Sequence, residues 1–467
     1  MLIIRTPVEH FENELAEEAR LFSLSDDVCI VHEVEETVIG TAHRVTVTWK
    51  QNSECVVCQG APHTADILEK KRINKRAAKW AAYQALHKLT GQEQPWGSLT
   101  GVRPTKLLAE LQKQGNEADF IDFYGVQPHK YDLARQILQV QEKAMQNVPE
   151  NAICVYICVP FCVTRCSYCS FPGRIAKTGE MEAYLDALEK EMSHAAECIG
   201  RQGVPIAAVY IGGGTPSSLP QPLFERLLQA TSKAFVNQNE FTVEAGRPDT
   251  IDRAKLIAAK EAGVTRLCVN PQTMVQATLE RIGRRHTPQQ IVETVDLARA
   301  LGFTSINMDI IAGLPGETLA DFRQTLQAIE KIAPSGLTCH TLSIKRGSRL
   351  HETGYIAANT EVAQMVDEAR GLAQELGLEP YYMYRQKYMA GNLENVGYTR
   401  PGNACIYNIA MMDELRSVMA LGVGSVGKWI QGDRIERRPN PKDLHLYLQR
   451  IDRICEQKDT FFQREER

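Results

Sequence analysis

No long apolar run, no strong charge of either sign and no low-complexity tract mark this chain of 467 residues. Without a stretch near the roughly 18 apolar residues of a membrane helix, no transmembrane span is expected. The opening Met1–His10, MLIIRTPVEH, lacks the apolar core of a secretory signal. Acidic and basic residues nearly cancel, 57 against 53, for a net charge of −4, so no global field selects a polyanionic partner. Any nucleic-acid surface would have to be local. Sequence repeats are absent too, which excludes a solenoid or array. Cysteine is the residue type whose number needs explaining: there are 13, an odd count, and three crowd into one short loop. In a chain with no export signal this favours reduced thiols and a metal site over disulfides, and the expected compartment is the cytoplasm.

What is present is the composition of an ordinary globular protein, 43% apolar and 24% charged. The length predicts one domain of roughly 250 residues with one or two smaller units. Residues 1–90 read as a small α/β domain: a helix-like stretch His10–Phe22, β-rich runs at Val28–Val34, Val38–Trp49 and Glu54–Cys58, and a basic helix Lys70–Leu89. Residues 91–150 hold a turn-rich linker, Gln92–Arg103, and a helical connector from Pro104 to Val148. From 151 to 380 apolar runs at Cys154–Val159, Ala207–Ile211, Glu240–Glu244, Arg266–Asn270, Ser305–Ile311 and Leu337–Leu342 alternate with helix-period segments such as Met181–Ile199, Leu223–Phe235 and Leu319–Ile332. Six β–α repeats with buried strands imply a parallel sheet covered by helices. An open six-unit barrel and a doubly wound sheet both satisfy this pattern. The stretch 381–467 is less regular, with Tyr381-Tyr382-Met383-Tyr384 and a glycine-rich Gly422–Gly427.

The chemistry concentrates just after the first strand of the series, where Cys162, Cys166 and Cys169 stand at spacing C-x3-C-x2-C. Strand ends on that side of a parallel β–α fold are the functional face. Soft thiolates select iron–sulfur clusters, zinc or copper. A structural zinc needs four ligands and this loop offers three, so zinc would have to borrow a distant His or Cys. A 4Fe–4S cluster held by three cysteines keeps one iron open for a small molecule.

Around these cysteines the stretch Tyr156-Ile-Cys-Val-Pro-Phe-Cys162 resembles the signature of radical S-adenosylmethionine (SAM) enzymes of the oxygen-independent coproporphyrinogen III oxidase group. Further motifs of that group follow in order: Gly212-Gly-Gly-Thr-Pro-Ser217, Val243-Glu244, Val269 to Gln272, Ile282-Gly-Arg-Arg-His286, and Asn307-Met-Asp309 through Gly316. The resemblance spans about residues 150 to 430, and Trp96–Lys106 resembles the variant known as coproporphyrinogen dehydrogenase. It implies an α/β fold with a partial (β/α)6 TIM-like barrel, flanked here by a small N-terminal α/β domain and an irregular C-terminal region. It also implies a 4Fe–4S cluster on Cys162, Cys166 and Cys169, with SAM on the open iron as source of a 5′-deoxyadenosyl radical. Gly213 and Gly214 are then expected at the SAM amino group, Glu244 at its ribose, and Tyr156 beside it. Tyr168, Thr215, Gln272, Arg284 and Asp309 match the positions that hold a second SAM.

Each position has a plainer reading as well. The glycines suit a tight turn, Tyr156 core packing, Glu244 a solvated loop, and Arg284 with Asp309 a salt bridge. One departure bears on the reaction. The best-known oxidases of the group carry another cysteine two residues after the third ligand, where this chain has Phe171, and haem-trafficking relatives carry phenylalanine there. The activity implied is oxidative decarboxylation of coproporphyrinogen III to protoporphyrinogen IX, with reduced flavodoxin or ferredoxin as electron donor and an unidentified electron acceptor. Arg385, Lys387 and Arg400 are the candidates to hold propionates. The rivals are a haem-binding or trafficking protein on the same scaffold, and a radical SAM enzyme acting on RNA.

The RNA reading rests on Lys75–Leu86, which resembles the second helix of double-stranded-RNA-binding domains within an α-β-β-β-α order. Lys75 and Lys79 would meet phosphates, although a basic helix face is commonly just solvated. Cys55-Val-Val-Cys58 has no partner pair and sits in a β-like run, so burial rather than ligation is expected.

Overall fold

The computed structural model describes residues 1–463 except 23, 25, 26, 102, 172, 237, 346, 354, 356–360, 387, 388 and 433. The chain divides into two compact units, Met1–Arg135 with Arg385–Lys387 and Gly391–Leu393, and the remainder from Gln136.

In the first unit the strands β1 (Leu2–Arg5), β2 (Val28–Glu36), β3 (Gly40–Trp49) and β4 (Asn52–Pro62) form a sheet in chain order. β1 runs parallel to β2 and the other pairs are antiparallel. The four-residue β1 precedes the first helix, Phe11–Leu21, so the order is β-α-β-β-β-α rather than α-β-β-β-α. A run that short carries no alternation to read. Alternate strand residues Val28, Ile30, Val45 and Val47 meet Leu15, Ala19 and Phe22 of the first helix and Ala81, Ala82, Ala85 and Leu86 of the second, Ile67–Thr90. Small alanines on the long helix let it lie close on the sheet.

Two lysines on the basic face of that helix are paired within the unit. Lys79 Nζ lies 3.1 Å from Glu18 Oε1 and 3.6 Å from Glu14, while Lys75 Nζ donates to Glu14 at 3.3 Å. Burial raises the Glu18 carboxyl to about 7 despite the pull of Lys79. The two lysines read as phosphate contacts therefore already have carboxylate partners. Cys55 is exposed and Cys58 half-buried, so the burial expected of this pair holds only for the second. An offset of three positions puts the two side chains on opposite faces of β4.

The second unit contains an open sheet of 11 strands. Its centre is β5 (Ile153–Val159), β6 (Ile206–Gly213), β7 (Glu240–Gly246), β8 (Arg266–Val269), β9 (Ser305–Ala312) and β10 (Gly336–Thr341). These six are parallel and neighbours in chain order, each linked through helices. β5 (ICVYICV) is an unbroken run of apolar and aromatic residues because helices or barrel interior cover both faces. Register sets Val159 beside Gly213 and Glu244 beside Cys268, bringing successive strand ends together.

The C-terminal part is more regular than its sequence suggests. β11 (Glu379–Tyr384) and β12 (Asn395–Thr399) extend the β10 edge antiparallel, with β12 between. β13 (Ser417–Leu421) returns to the other edge and pairs parallel with β5, Ala420 opposite Tyr156, and the hairpin β14 (Val426–Gln431)–β15 (Arg434–Pro439) follows. The expected irregularity reflects strands of five or six residues interrupted by Gly and Asn, too short to display a period. No helix among the described residues is long and apolar enough to cross a membrane.

The fully buried Glu191, on the helix Thr178–Gln202, secures this return. Its carboxylate accepts from Gly422 N at 2.8 Å, Asn440 Nδ2 at 2.8 Å and Tyr447 Oη at 2.6 Å, and lies 3.0 Å from Lys458 Nζ. Replacing Glu191 with Ala removes the counter-charge of Lys458 and a shared acceptor of three further donors in the core. We expect it to cost about 3–5 kcal/mol in urea unfolding, with a lower midpoint and unchanged slope, and Glu191→Gln to cost less.

Candidate functional site

The loop after β5 is folded back on itself. Cys162 N donates to Arg174 O at 3.0 Å and Arg174 N to Pro160 O at 2.8 Å, while Phe161 is buried edge-on against Tyr184. Farther along, Thr164 Oγ1 donates to Gly283 O at 2.8 Å and Ser167 N to Ile282 O at 3.0 Å. The Ile282–His286 motif thus braces the cysteine loop from outside. Cys169 N closes a turn on Cys166 O at 3.2 Å.

The glycine run after β6 packs directly on this loop. Gly214 N donates to Val159 O and Thr215 N to Phe161 O, both at 2.7 Å. A Cβ at Gly214 would stand 2.5 Å from Phe161 O and 2.9 Å from Cys162 Sγ. At Gly213, whose φ is +111°, it would stand 2.8 Å from Cys158 Sγ. These residues are glycines because the cysteine loop leaves no room for a side chain. The buried Thr215 donates its hydroxyl to Cys162 Sγ at 3.6 Å.

Burial pushes the Cys162 and Cys169 thiols up from the ordinary cysteine value. Arg247 beside Cys162, and Arg284 and Lys345 beside Cys169, pull the other way. A single tetrahedral zinc would hold sulfurs about 3.8 Å apart. Among the described residues the three thiols are not gathered within 4.8 Å of one another as ligands of one ion would be. Three soft donors spread this widely, ringed by cations and braced by backbone, fit a 4Fe–4S cluster.

Glu244, at the end of β7, accepts from Tyr210 Oη at 2.6 Å. Burial raises its carboxyl to about 7, with Asp309 adding to the rise and Tyr210 and His340 opposing it. Gln272 is 6% exposed and holds φ +68°, a left-handed conformation uncommon for a residue with a Cβ. Its backbone is locked to β9, Gln272 N to Asp309 O and Ile311 N to Gln272 O, both at 2.9 Å. Arg284 donates to Asn270 O at 2.5 Å and Tyr168 Oη at 3.3 Å, and its buried Nε has no partner. Asp309 accepts from Asn307 Nδ2 at 2.7 Å and lies 3.6 Å from His340 Nε2. The salt bridge open to Arg284 and Asp309 is absent among the described residues; each has other partners.

Tyr156 is placed differently from the other candidates. Its ring packs against Tyr210 and Tyr407, at centroid distances of 6.2 and 5.7 Å, in an aromatic cluster of the core. Two of the propionate candidates, Arg385 and Arg400, are placed away from such a role. Arg385 is 3% exposed, stacks over Trp96 and spends its donors on Leu99 O, Leu393 O and Asn392. Arg400 follows β12 and donates its N to Ser335 O beside the first residue of β10, at the sheet end away from the cysteine loop. Lys387 lies outside the described residues. Sequence reasoning missed Tyr210, His340 and Tyr384, whose hydroxyl lies 3.3 Å from His340 Nδ1. For Tyr210 and His340, position in barrel strands beside the candidate carboxylates was the available signal.

The Radical SAM superfamily profile matches residues 156–329. An oxygen-independent coproporphyrinogen-III oxidase-like protein from Bacillus subtilis is 35% identical over 443 residues, 91% of this chain and 88% of the relative. The chain belongs to the radical SAM family of oxygen-independent coproporphyrinogen-III oxidase-like proteins. A radical SAM protein works with a 4Fe–4S cluster and SAM, and the donor set above suits both. A haem chaperone from the same bacterium is 34% identical over 194 residues, 41% of this chain and 50% of the relative. The Escherichia coli haem chaperone is 26% identical over 282 residues, covering 59% and 69%. Among solved structures, the coproporphyrinogen III oxidase from Escherichia coli superposes with a TM-score of 0.52 at 22% identity, covering 67% of this chain and 72% of that one, which establishes the shared fold.

Glu244 generates a pH prediction for this radical SAM protein. If Glu244 stands at a SAM ribose, as the resemblance implies, its ionised carboxylate would accept the two ribose hydroxyls, and protonation would remove part of that capacity. With the carboxyl near 7, SAM affinity should fall roughly tenfold more between pH 8 and pH 6 than in Glu244→Gln, measured by anaerobic calorimetry on the cluster-loaded protein. Equal pH dependence in the two proteins would remove Glu244 from the SAM site.

Proposed function

We propose that this radical SAM protein oxidatively decarboxylates two propionates of coproporphyrinogen III to vinyl groups, giving protoporphyrinogen IX. The observation that carries the reading is the group Tyr168–Arg284 with Gln272–Asp309. A buried guanidinium with an unpartnered Nε and a glutamine locked at positive φ suit a second small anionic ligand beside the cluster loop. In this reading Cys162, Cys166 and Cys169 hold the cluster, Gly213, Gly214 and Glu244 hold one SAM, with Tyr156 supporting the strand beneath. Thr215 joins Tyr168, Gln272, Arg284 and Asp309 around the second SAM. When bound, cluster and SAM supply a carbon-centred radical able to take a hydrogen atom. Each propionate loses one hydrogen atom from its β-carbon, carbon dioxide, and one electron to an external acceptor. Reduced flavodoxin or ferredoxin supplies the cluster's electron, and the exposed Arg165, between two of the cysteines, and Lys177, after the loop, suit an acidic donor.

One observation favours haem binding instead. Phe171 is 57% exposed on the cysteine loop, and Val163 and Ile175 on the same stretch of chain are exposed too, apolar surface that a flat macrocycle can cover. The two readings separate in anaerobic incubation of the cluster-loaded protein with SAM, reductant and coproporphyrinogen III. We expect vinyl products and deoxyadenosine, both abolished by Cys162→Ala, Cys166→Ala or Cys169→Ala together with the roughly four irons per chain. Haem retention without vinyl products would replace the oxidase by the haem-binding reading.

The second ligand is tested by stoichiometry. Calorimetry should count two SAM per chain, and Asp309→Ala should remove one. A single site indifferent to Asp309→Ala would return these residues to packing roles.

A further inference from the structure

Away from the cysteine loop, the helix Thr178–Gln202 and the C-terminal helix Ile451–Asp459 share a seam. Lys190, His194 and Cys198 recur at intervals of four along one face of the first helix, and each contacts an aspartate of the second. Lys190 pairs with Asp452, while His194 and Cys198 converge on Asp459.

The second convergence has the dimensions of a metal site. His194 Nε2 lies 3.2 Å from Asp459 Oδ2, Cys198 Sγ lies 3.3 Å from Asp459 Oδ1, and the three ligand atoms fall within 4.8 Å of one another. A tetrahedral zinc would hold nitrogen and oxygen about 3.3 Å apart, and sulfur and oxygen about 3.5 Å apart. A hydrogen-bonded triad also gives such distances, but His194 Nε2 is sealed from solvent and meets the Asp459 carboxylate at a poor angle for a hydrogen bond. Its ring nitrogen faces the Cys198 thiol and, at 3.2 Å, the Asp459 carboxylate that a bound ion would share.

We infer that His194, Cys198 and Asp459 bind a zinc ion that clasps the C-terminal helix to the first barrel helix. The thiol excludes the hard cations magnesium and calcium, and the mixed imidazole and carboxylate set suits zinc over a purely sulfur-seeking metal. Water completes the tetrahedron. Arg201 is the competitor: its guanidinium lies 3.1 Å from Cys198 Sγ and pairs with the same Asp459 oxygen. Its side chain is 57% exposed, so zinc entry releases it into water. The clasp sits one residue beyond Lys458, whose ammonium meets Glu191, Asn440 and Ala420 O. Zinc here therefore secures the helix that delivers a buried cation to the core.

The test uses the cluster-loaded protein, in which the thiols of Cys162, Cys166 and Cys169 are occupied, with zinc chloride as the only probe. After anaerobic gel filtration we expect one zinc per chain by elemental analysis, with one sulfur among nitrogen and oxygen neighbours by zinc-edge X-ray absorption. Cys198→Ser and His194→Gln should each weaken binding about tenfold or more. The surface change Arg201→Ala should tighten it several-fold, and that arm survives any misfolding of the other two. The double change Cys55→Ala with Cys58→Ala should leave the zinc in place. No zinc retained by wild type or Arg201→Ala overturns the inference, as does zinc that stays through Cys198→Ser or leaves with Cys55 and Cys58.

Discussion

The barrel unit depends on one carboxylate that never meets water. Glu191 gathers a backbone amide at Gly422, the Asn440 amide, the Tyr447 hydroxyl and the Lys458 ammonium onto two oxygens. Those four donors come from separate stretches of the last 50 residues, so a single buried acid orders the whole C-terminal return. A buried charge this well supplied is costly to disturb, since removing any partner leaves the rest desolvated. Its structural effect is to hold β13 parallel to β5, giving the strand that leads into the cysteine loop a hydrogen-bonded neighbour on both sides.

That constraint passes into the site. β5 ends at Val159, whose carbonyl receives Gly214 N, and the next turn of the loop receives Thr215 N at Phe161 O. Tyr184, on the same helix as Glu191, donates to Cys158 O and presses its ring on Phe161. The three cysteines are thus carried by a loop whose backbone is pinned from β6, from the first barrel helix and from Ile282–Gly283. Rigidity of this kind keeps thiolates in place for a cluster, while Arg247, Arg284 and Lys345 offset the negative charge they bring.

The N-terminal unit uses its charge differently. The lysines that give its long helix a nucleic-acid-like face are engaged by Glu14 and Glu18 from the helix beside it. A cation already paired in a half-buried setting gains little from a phosphate, because the pair must first be broken. Arg385 follows the same logic, its guanidinium consumed by backbone carbonyls and the Trp96 face.

By itself the sequence determined the features that repeat or cluster locally. Six strand–helix periods, three cysteines on one loop and an ordered set of glycine, carboxylate and arginine motifs were enough for the parallel core, the cluster and the family. Tertiary structure alone decided what depends on partners far apart in the chain. It made β13 a neighbour of β5 across about 260 residues, and assigned Tyr156 to an aromatic core. It also separated Arg284 from Asp309 and withdrew Arg385 from any ligand. Five-residue strands and single charged side chains carry no period, so their places are set only when the long-range donors and acceptors meet.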